Sequence, residues 1–213
     1  MNSLLKKLKM KAILPAAAFL AAAAIGTTFA WQTWDLSVTN ELRSHETKVE
    51  VEEPEFHPED GVKKVRFKNT GNSSIFLRIS YTEYWEKKEE DGTEYLLSNK
   101  LNGTEMATKH WTQHWLGGNS CQWEDGNDGW YYYTKVLKPG THTDLILESV
   151  TFENVSSENK EYLNSNYRLY FKAEAVQCSD GSNTLNSEEV NADATKSLFG
   201  KTATVTGDTV DWK

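Results

Sequence analysis

The sequence predicts an all-β protein built as a sandwich of antiparallel sheets, and three observations carry that expectation. Between Val62 and Tyr81 the chain alternates on both sides of Asn69-Thr70-Gly71-Asn72. Val65 and Phe67 share one face against Arg66 and Lys68, and Ile75, Leu77, Ile79 and Tyr81 share one face against Ser74, Arg78 and Ser80. A period of two belongs to strands. A second run from Tyr167 places Leu169, Phe171, Ala173 and Ala175 inward and Arg168, Lys172 and Glu174 outward. No strong amphipathic helix follows residue 30, so the natural cover for an apolar sheet face is a second sheet.

Residues 1–30 read as a signal peptide. Lys6, Lys7, Lys9 and Lys11 form a basic start, residues 12–25 are apolar and alanine-rich, and Thr28-Phe29-Ala30 offers small residues for cleavage before Trp31. The other reading is a retained anchor, since residues 12–29 approach the roughly 20 needed to span a bilayer. Residues 31–213 are then expected as one secreted β-sandwich domain, long enough for a real core. Removing the leader changes the balance of 23 basic and 31 acidic residues to 19 and 31, a net charge of about −12. Such a surface argues against binding a phosphate backbone, so no nucleic-acid partner is expected.

Within the mature chain, Trp34, Leu36 and Val38 alternate with polar residues behind Trp31, which reads as an opening strand. A strand at that position either completes its own sheet or is lent to a neighbour, because a free edge is a hydrogen-bonding template. Pro54 and Pro58 in the acidic stretch place residues 53–61 in a loop before the organising 69–72 turn, which is either a hairpin or a tight sheet corner. A strand through Tyr84-Trp85 leads through a turn at Asp91-Gly92 into Tyr95-Leu96-Leu97. Residues 98–129 are the least regular stretch. Strands are expected again at 130–137 and 144–152, separated by a type II turn at Pro139-Gly140. A polar loop follows Cys178, then a helical turn at 192–198 and a closing strand or tail. The sum is roughly eight to ten strands.

Three features carry the functional expectations. Trp111, Trp115, Trp123 and Trp130 fall in the irregular stretch, where they either cover one end of the sandwich or form a recognition patch for a glycan or a surface protein. His110 and His114 would share a helical face, but Trp111 stands where the metalloprotease pattern needs a glutamate, so no metal site is assigned. Cys121 and Cys178 are either separate thiols or a disulfide; export permits pairing, and the disulfide is the expectation. No nucleophile elbow, phosphate-cradling loop or zinc-spaced cluster is evident, so neither an enzyme nor a cofactor is expected.

The basic leader with Ile25-Gly26-Thr27-Thr28-Phe29-Ala30-Trp31 at its end resembles the alternate signal peptides of the TasA and camelysin family of Gram-positive bacteria, which a dedicated SipW-like signal peptidase processes. The run from Val65 through Asn69-Thr70-Gly71-Asn72 to Ile79 is similar to that family's strand, turn and strand. Trp130-Tyr131-Tyr132-Tyr133, Leu137-Lys138-Pro139-Gly140 and the stretch from Phe171 to Gln177 follow in the family's order. The resemblance covers the leader and about half of the mature domain. It implies a jelly-roll-like extracellular sandwich, a structural protein of the cell surface or biofilm matrix, and self-association or association with related matrix subunits into fibres. In that scheme Trp31, Trp34, Leu36 and Val38 belong to the donor strand. The alternative is a monomeric surface binding module or adhesin that uses the tryptophan-rich loop.

Overall fold

The two alternating runs flanking the 69–72 turn become β2 (Val62–Asn69) and β3 (Ile75–Lys88), and they lie in different sheets. The turn is therefore a corner, and Asn69 builds it. Its fully buried side chain donates through Nδ2 to the carbonyls of Ser73 and Leu137 at 2.8 and 2.9 Å, while Oδ1 accepts the Gly71 N–H at 3.0 Å. One amide thus satisfies backbone groups that the corner withdraws from both sheets.

The computed structural model describes residues 47–57, 61–179 and 187–213; the leader, residues 1–30, and the expected strand containing Trp31, Trp34, Leu36 and Val38 lie outside them. The described chain is predominantly antiparallel β-structure in several packed sheets. The first sheet runs β1 (Val49–His57), β2, β10 (Leu147–Thr151), β7 (Thr108–Trp111). The second runs β11 (Ser165–Gln177), β3, β9 (Tyr131–Tyr133), β8 (Trp123–Asp125), with β4 (Glu94–Leu97) also paired to β3. Two short hairpins, β5 (Lys100–Leu101) with β6 (Thr104–Glu105) and β12 (Ala203–Thr206) with β13 (Thr209–Trp212), complete the strands. The helices among the described residues are α1 (Lys160–Leu163) and α2 (Ser187–Phe199).

Alternation decides what fills the space between the sheets. Val65 and Phe67 from β2, Ile75, Leu77 and Ile79 from β3, Leu147 and Val150 from β10, and Phe171 and Ala173 from β11 form one apolar cluster. Phe67 meets Trp123 and Phe171 edge-on, at ring-centroid distances of 5.7 and 6.0 Å. The outward phase of β3 has its own cover. Phe76 packs with Tyr132, Val176, Phe199, Val210 and Trp212, so α2 and the β12–β13 hairpin form a second, smaller core on the outer face.

Some local expectations shift. β1 continues through Pro54 to His57, where a loop was expected from residue 53. Its outer flank is a sheet edge that demands no proline N–H, and a register shift between Glu52 and Glu55 absorbs the misfit. Residues 98–129 hold four short strands. Ile146, just ahead of β10, is buried beside Leu147, and the register shift between Leu147 and Ser149 brings Val150 into the same core as Leu147. At Pro139-Gly140 the turn forms as read: Gly140 has φ 73° and the Thr141 N–H bonds the Lys138 carbonyl at 3.2 Å. The helix near the C-terminus begins at Ser187, earlier than the expected turn.

Asn69→Ala removes the amide donor from the Ser73 carbonyl and one of the two donors to the Leu137 carbonyl, which keeps the Ile75 N–H at 3.0 Å, so a loss of about 1 kcal/mol is expected in urea unfolding, with an unchanged denaturant slope. A loss below a few tenths of a kcal/mol would show that the corner does not depend on this amide.

Candidate functional site

The longest sheet edge belongs to β11. It pairs with β3 over thirteen consecutive positions, from Ser165↔Lys87 to Gln177↔Ile75, without a register shift. Its other flank pairs with no described strand. The strand contains no proline. β1, the outer strand of the first sheet, approaches β11 without pairing to it and is blunted in ways β11 is not. It carries Pro54 and a register shift, neither of which β11 has, and four glutamates, Glu50, Glu52, Glu53 and Glu55, where β11 has Arg168, Lys172 and Glu174. Prolines, irregularities and charges are the usual means of keeping another strand off an edge. On the inward side of β11, Tyr167, Leu169 and Ala175 are only partly buried, which leaves apolar surface beside the regular edge.

The four tryptophans, read as either a cover for one end of the sandwich or a recognition patch, do not form one exposed patch. Trp115 and Trp123 are only 4% and 2% exposed. Trp111, half-buried, stacks on Trp115 at 4.8 Å, and Trp115 meets Tyr131 at the same distance. The cause is the pairing Trp123↔Tyr133 at the sheet edge, which turns Trp123 into the sandwich interior. Trp130 lies apart, with the outer cluster.

The expected disulfide is also corrected. No bond joins Cys121 and Cys178; the first is an exposed thiol and the second a buried one. Cys121 lies beside β8 and Cys178 just beyond β11, at opposite ends of the order β11-β3-β9-β8. Three inter-strand spacings amount to roughly 14 Å, about twice the Cα separation a disulfide tolerates. Cys121 Sγ instead donates to the Trp123 carbonyl at 2.9 Å. His110 lies on a strand rather than a helix, bonded to Thr151 Oγ1 at 2.9 Å, while His114 Nδ1 is 3.2 Å from the Ser120 carbonyl oxygen. Among the described residues, no group of three or more His, Cys, Asp or Glu side chains is arranged to hold a metal ion.

Sequence reasoning missed a polar cluster within the sandwich. Glu83 follows Ile79 and Tyr81 on the inward phase of β3. Its Oε2 accepts from Lys109 Nζ at 2.7 Å, Asn99 Nδ2 at 3.0 Å and Tyr167 Oη at 2.5 Å. Burial and the bond to Glu83 push the Tyr167 phenol far above its ordinary value. The available signal was phase: a carboxylate on an apolar strand face implies buried partners.

Missed as well was Arg78, on the outward phase of the same strand. Its guanidinium lies 4.2 Å from the Trp130 ring centroid and 4.4 Å from that of Phe199. It donates to Glu174 Oε2 at 2.7 and 3.0 Å and to the Phe199 carbonyl at 2.8 Å, pinning the end of α2 to the sheet. Burial works to raise the Glu174 carboxyl, but bonds from Lys172 and Arg78 override it and hold it below the ordinary value. Asp128 is also held low, its burial outweighed chiefly by the Tyr132 hydroxyl and the Trp130 N–H. Tyr132 itself is pushed up to about 12, first by burial and then by its bond to Asp128.

Against known proteins, no family model, no curated protein and no solved structure matches the chain.

Arg78→Met is expected to loosen α2 and the β12–β13 hairpin while the sandwich stays folded, seen as faster amide exchange confined to residues 187–213. Acid should act in the same direction. Glu174 and Asp128 have folded-state pKa values below their ordinary ones, so their stabilisation is complete above the unfolded-state values and is lost as pH falls through the folded-state values. Uniform exchange across both cores on acidification would contradict this assignment.

Proposed function

We propose that the chain is an exported structural protein of the cell surface or biofilm matrix that assembles by strand addition. Residues 31–40 of one copy, with Trp34, Leu36 and Val38 behind Trp31, lie along the open edge of β11 in the next. The observation that carries this reading is the regular, proline-free edge of β11, thirteen residues in unbroken register beside a neighbouring edge interrupted by a proline and a register shift. A strand added there would gain main-chain bonds, and its apolar phase would cover Tyr167, Leu169 and Ala175. The basic, alanine-rich leader supports export, and its likeness to the TasA and camelysin type supports cleavage by a signal peptidase before Trp31. A jelly-roll-like path is part of the same proposal, supported by a chain that moves repeatedly between the two sheets.

The alternative, a monomeric adhesin built on Trp111, Trp115, Trp123 and Trp130, is weakened by the burial of Trp115 and Trp123. Self-association or association with related matrix subunits is therefore favoured over a glycan or surface-protein ligand.

The test uses purified protein beginning at Trp31, followed by electron microscopy and by mass in solution. Filaments are expected, and deletion of residues 31–40 should leave a folded monomer that binds a synthetic peptide of those ten residues. Filaments formed equally well by the deletion variant, or a folded deletion variant that ignores the peptide, would overturn strand addition.

A further inference from the structure

Asn99 is only 5% exposed, and its amide is held from four sides. Oδ1 accepts the Ala107 N–H at 2.8 Å and the Trp85 Nε1–H at 3.1 Å, while Nδ2 donates to the Ala107 carbonyl at 2.8 Å and to Glu83 Oε2 at 3.0 Å. The Ala107 N–H must face an oxygen and its carbonyl an N–H, so Ala107 fixes which way the amide points. Lys109, with its side chain 5% exposed, donates to that same Glu83 oxygen at 2.7 Å. A primary amine, a carboxylate and a side-chain amide nitrogen thus converge on one atom, and the amide oxygen lies between two N–H donors.

We propose that Lys109 and Asn99 form an intramolecular isopeptide bond between Nζ and Cγ, with Glu83 as the proton carrier. The Lys109 ammonium gives a proton to Glu83, and the resulting amine attacks Asn99 Cγ. Negative charge develops on Oδ1, where the Trp85 and Ala107 N–H groups already point, the arrangement that stabilises a tetrahedral intermediate. Glu83 passes its proton to Nδ2 and takes the surplus proton from Nζ as the Cγ–Nδ2 bond breaks. The departing ammonia then collects that proton. The products are a secondary amide, an ionised Glu83 and an ammonium ion, so atoms and charge balance without a co-reactant. The enclosure of Lys109 and Asn99, each about 5% exposed, limits the solvent that competes for the acyl carbon. Both groups are fixed before reaction, which lowers the entropic part of the barrier.

The bond would tie the two sheets together. Asn99 lies two residues beyond β4, which pairs with β3 in the second sheet, and Lys109 lies on β7 in the first. The linkage spans the β5–β6 hairpin and closes one side of the sandwich covalently.

The deciding experiment is mass spectrometry of the purified, denatured protein followed by tryptic mapping. The expected mass is lower than the sequence mass by one ammonia, with no cleavage after Lys109 and a branched peptide joining residues 89–100 to 101–135. Lys109→Met and Glu83→Gln should each restore the full mass. An unmodified mass in the folded wild-type protein would overturn the proposal, as would an ammonia loss mapped to a linear peptide, the mark of a succinimide. A folded Glu83→Gln protein that still carries the branch would overturn the role given to Glu83. Should either variant fail to fold, the wild-type measurement decides alone.

Discussion

A fourteen-residue strand with a period of two presents two faces at once, and β3 imposes that requirement on the whole molecule. Its inward phase, Ile75, Leu77, Ile79 and Trp85, is covered by the first sheet. Its outward phase begins with Phe76, fully buried, and that ring requires a cover of its own. α2 and the β12–β13 hairpin supply it, with Arg78, two positions on, fastening them through Glu174 and Phe199. The C-terminal unit is thus a consequence of the alternation that builds the sandwich.

The same alternation sends Glu83 inward, and a carboxylate there is costly unless its oxygens are satisfied. Lys109 from the facing sheet, Tyr167 from β11 and Asn99 from the segment after β4 meet that requirement together. A partly buried ion pair of this kind is weak evidence for stability, since well-packed apolar residues of similar size often serve a fold as well or better. What the cluster does supply is order: each participant has one position, set by partners on a different strand. Such preorganisation is the condition under which two ordinary side chains become a reacting pair.

The parts of this fold that were legible in the sequence are those where one rule acts alone. β2, β3 and β11 alternate cleanly because each has a face covered by apolar residues, and the Asn69 corner and the Pro139-Gly140 turn follow from their own backbone chemistry. β1 was cut short at Pro54 because an edge strand tolerates a proline that a central strand refuses. α2 was underestimated because Asn191 and Thr195, both buried, are polar and break the apolar stripe by which a helix is recognised. Thr195 bonds the Asn191 carbonyl and accepts the Ala203 N–H, so the helix packs through hydrogen bonds that hydropathy does not register. The tryptophans were ambiguous for the opposite reason: an irregular aromatic stretch looks the same whether its rings face solvent or fill a core. The cluster around Glu83 draws on residues from 83 to 167 and left only the phase of one carboxylate as a trace. The separation of Cys121 from Cys178 depends on strand order, which local patterning does not contain.

The difference between the two neighbouring edges bears on what kind of assembly the proposed strand addition makes. The donor segment precedes β1, whereas the acceptor is β11, so donating and accepting surfaces are different parts of the chain. An interface between unlike surfaces is heterologous: a copy that has given its strand still has its own β11 edge open, and a copy that has received one still has a strand to give. Such a contact propagates into a ring or a filament and does not terminate at a dimer. The glutamates, Pro54 and irregular register of β1 oppose pairing through that edge, so β11 is the edge left to accept a strand. Two β11 edges pairing with each other would stop at a dimer, and the donated strand competes with that contact by occupying the edge it needs.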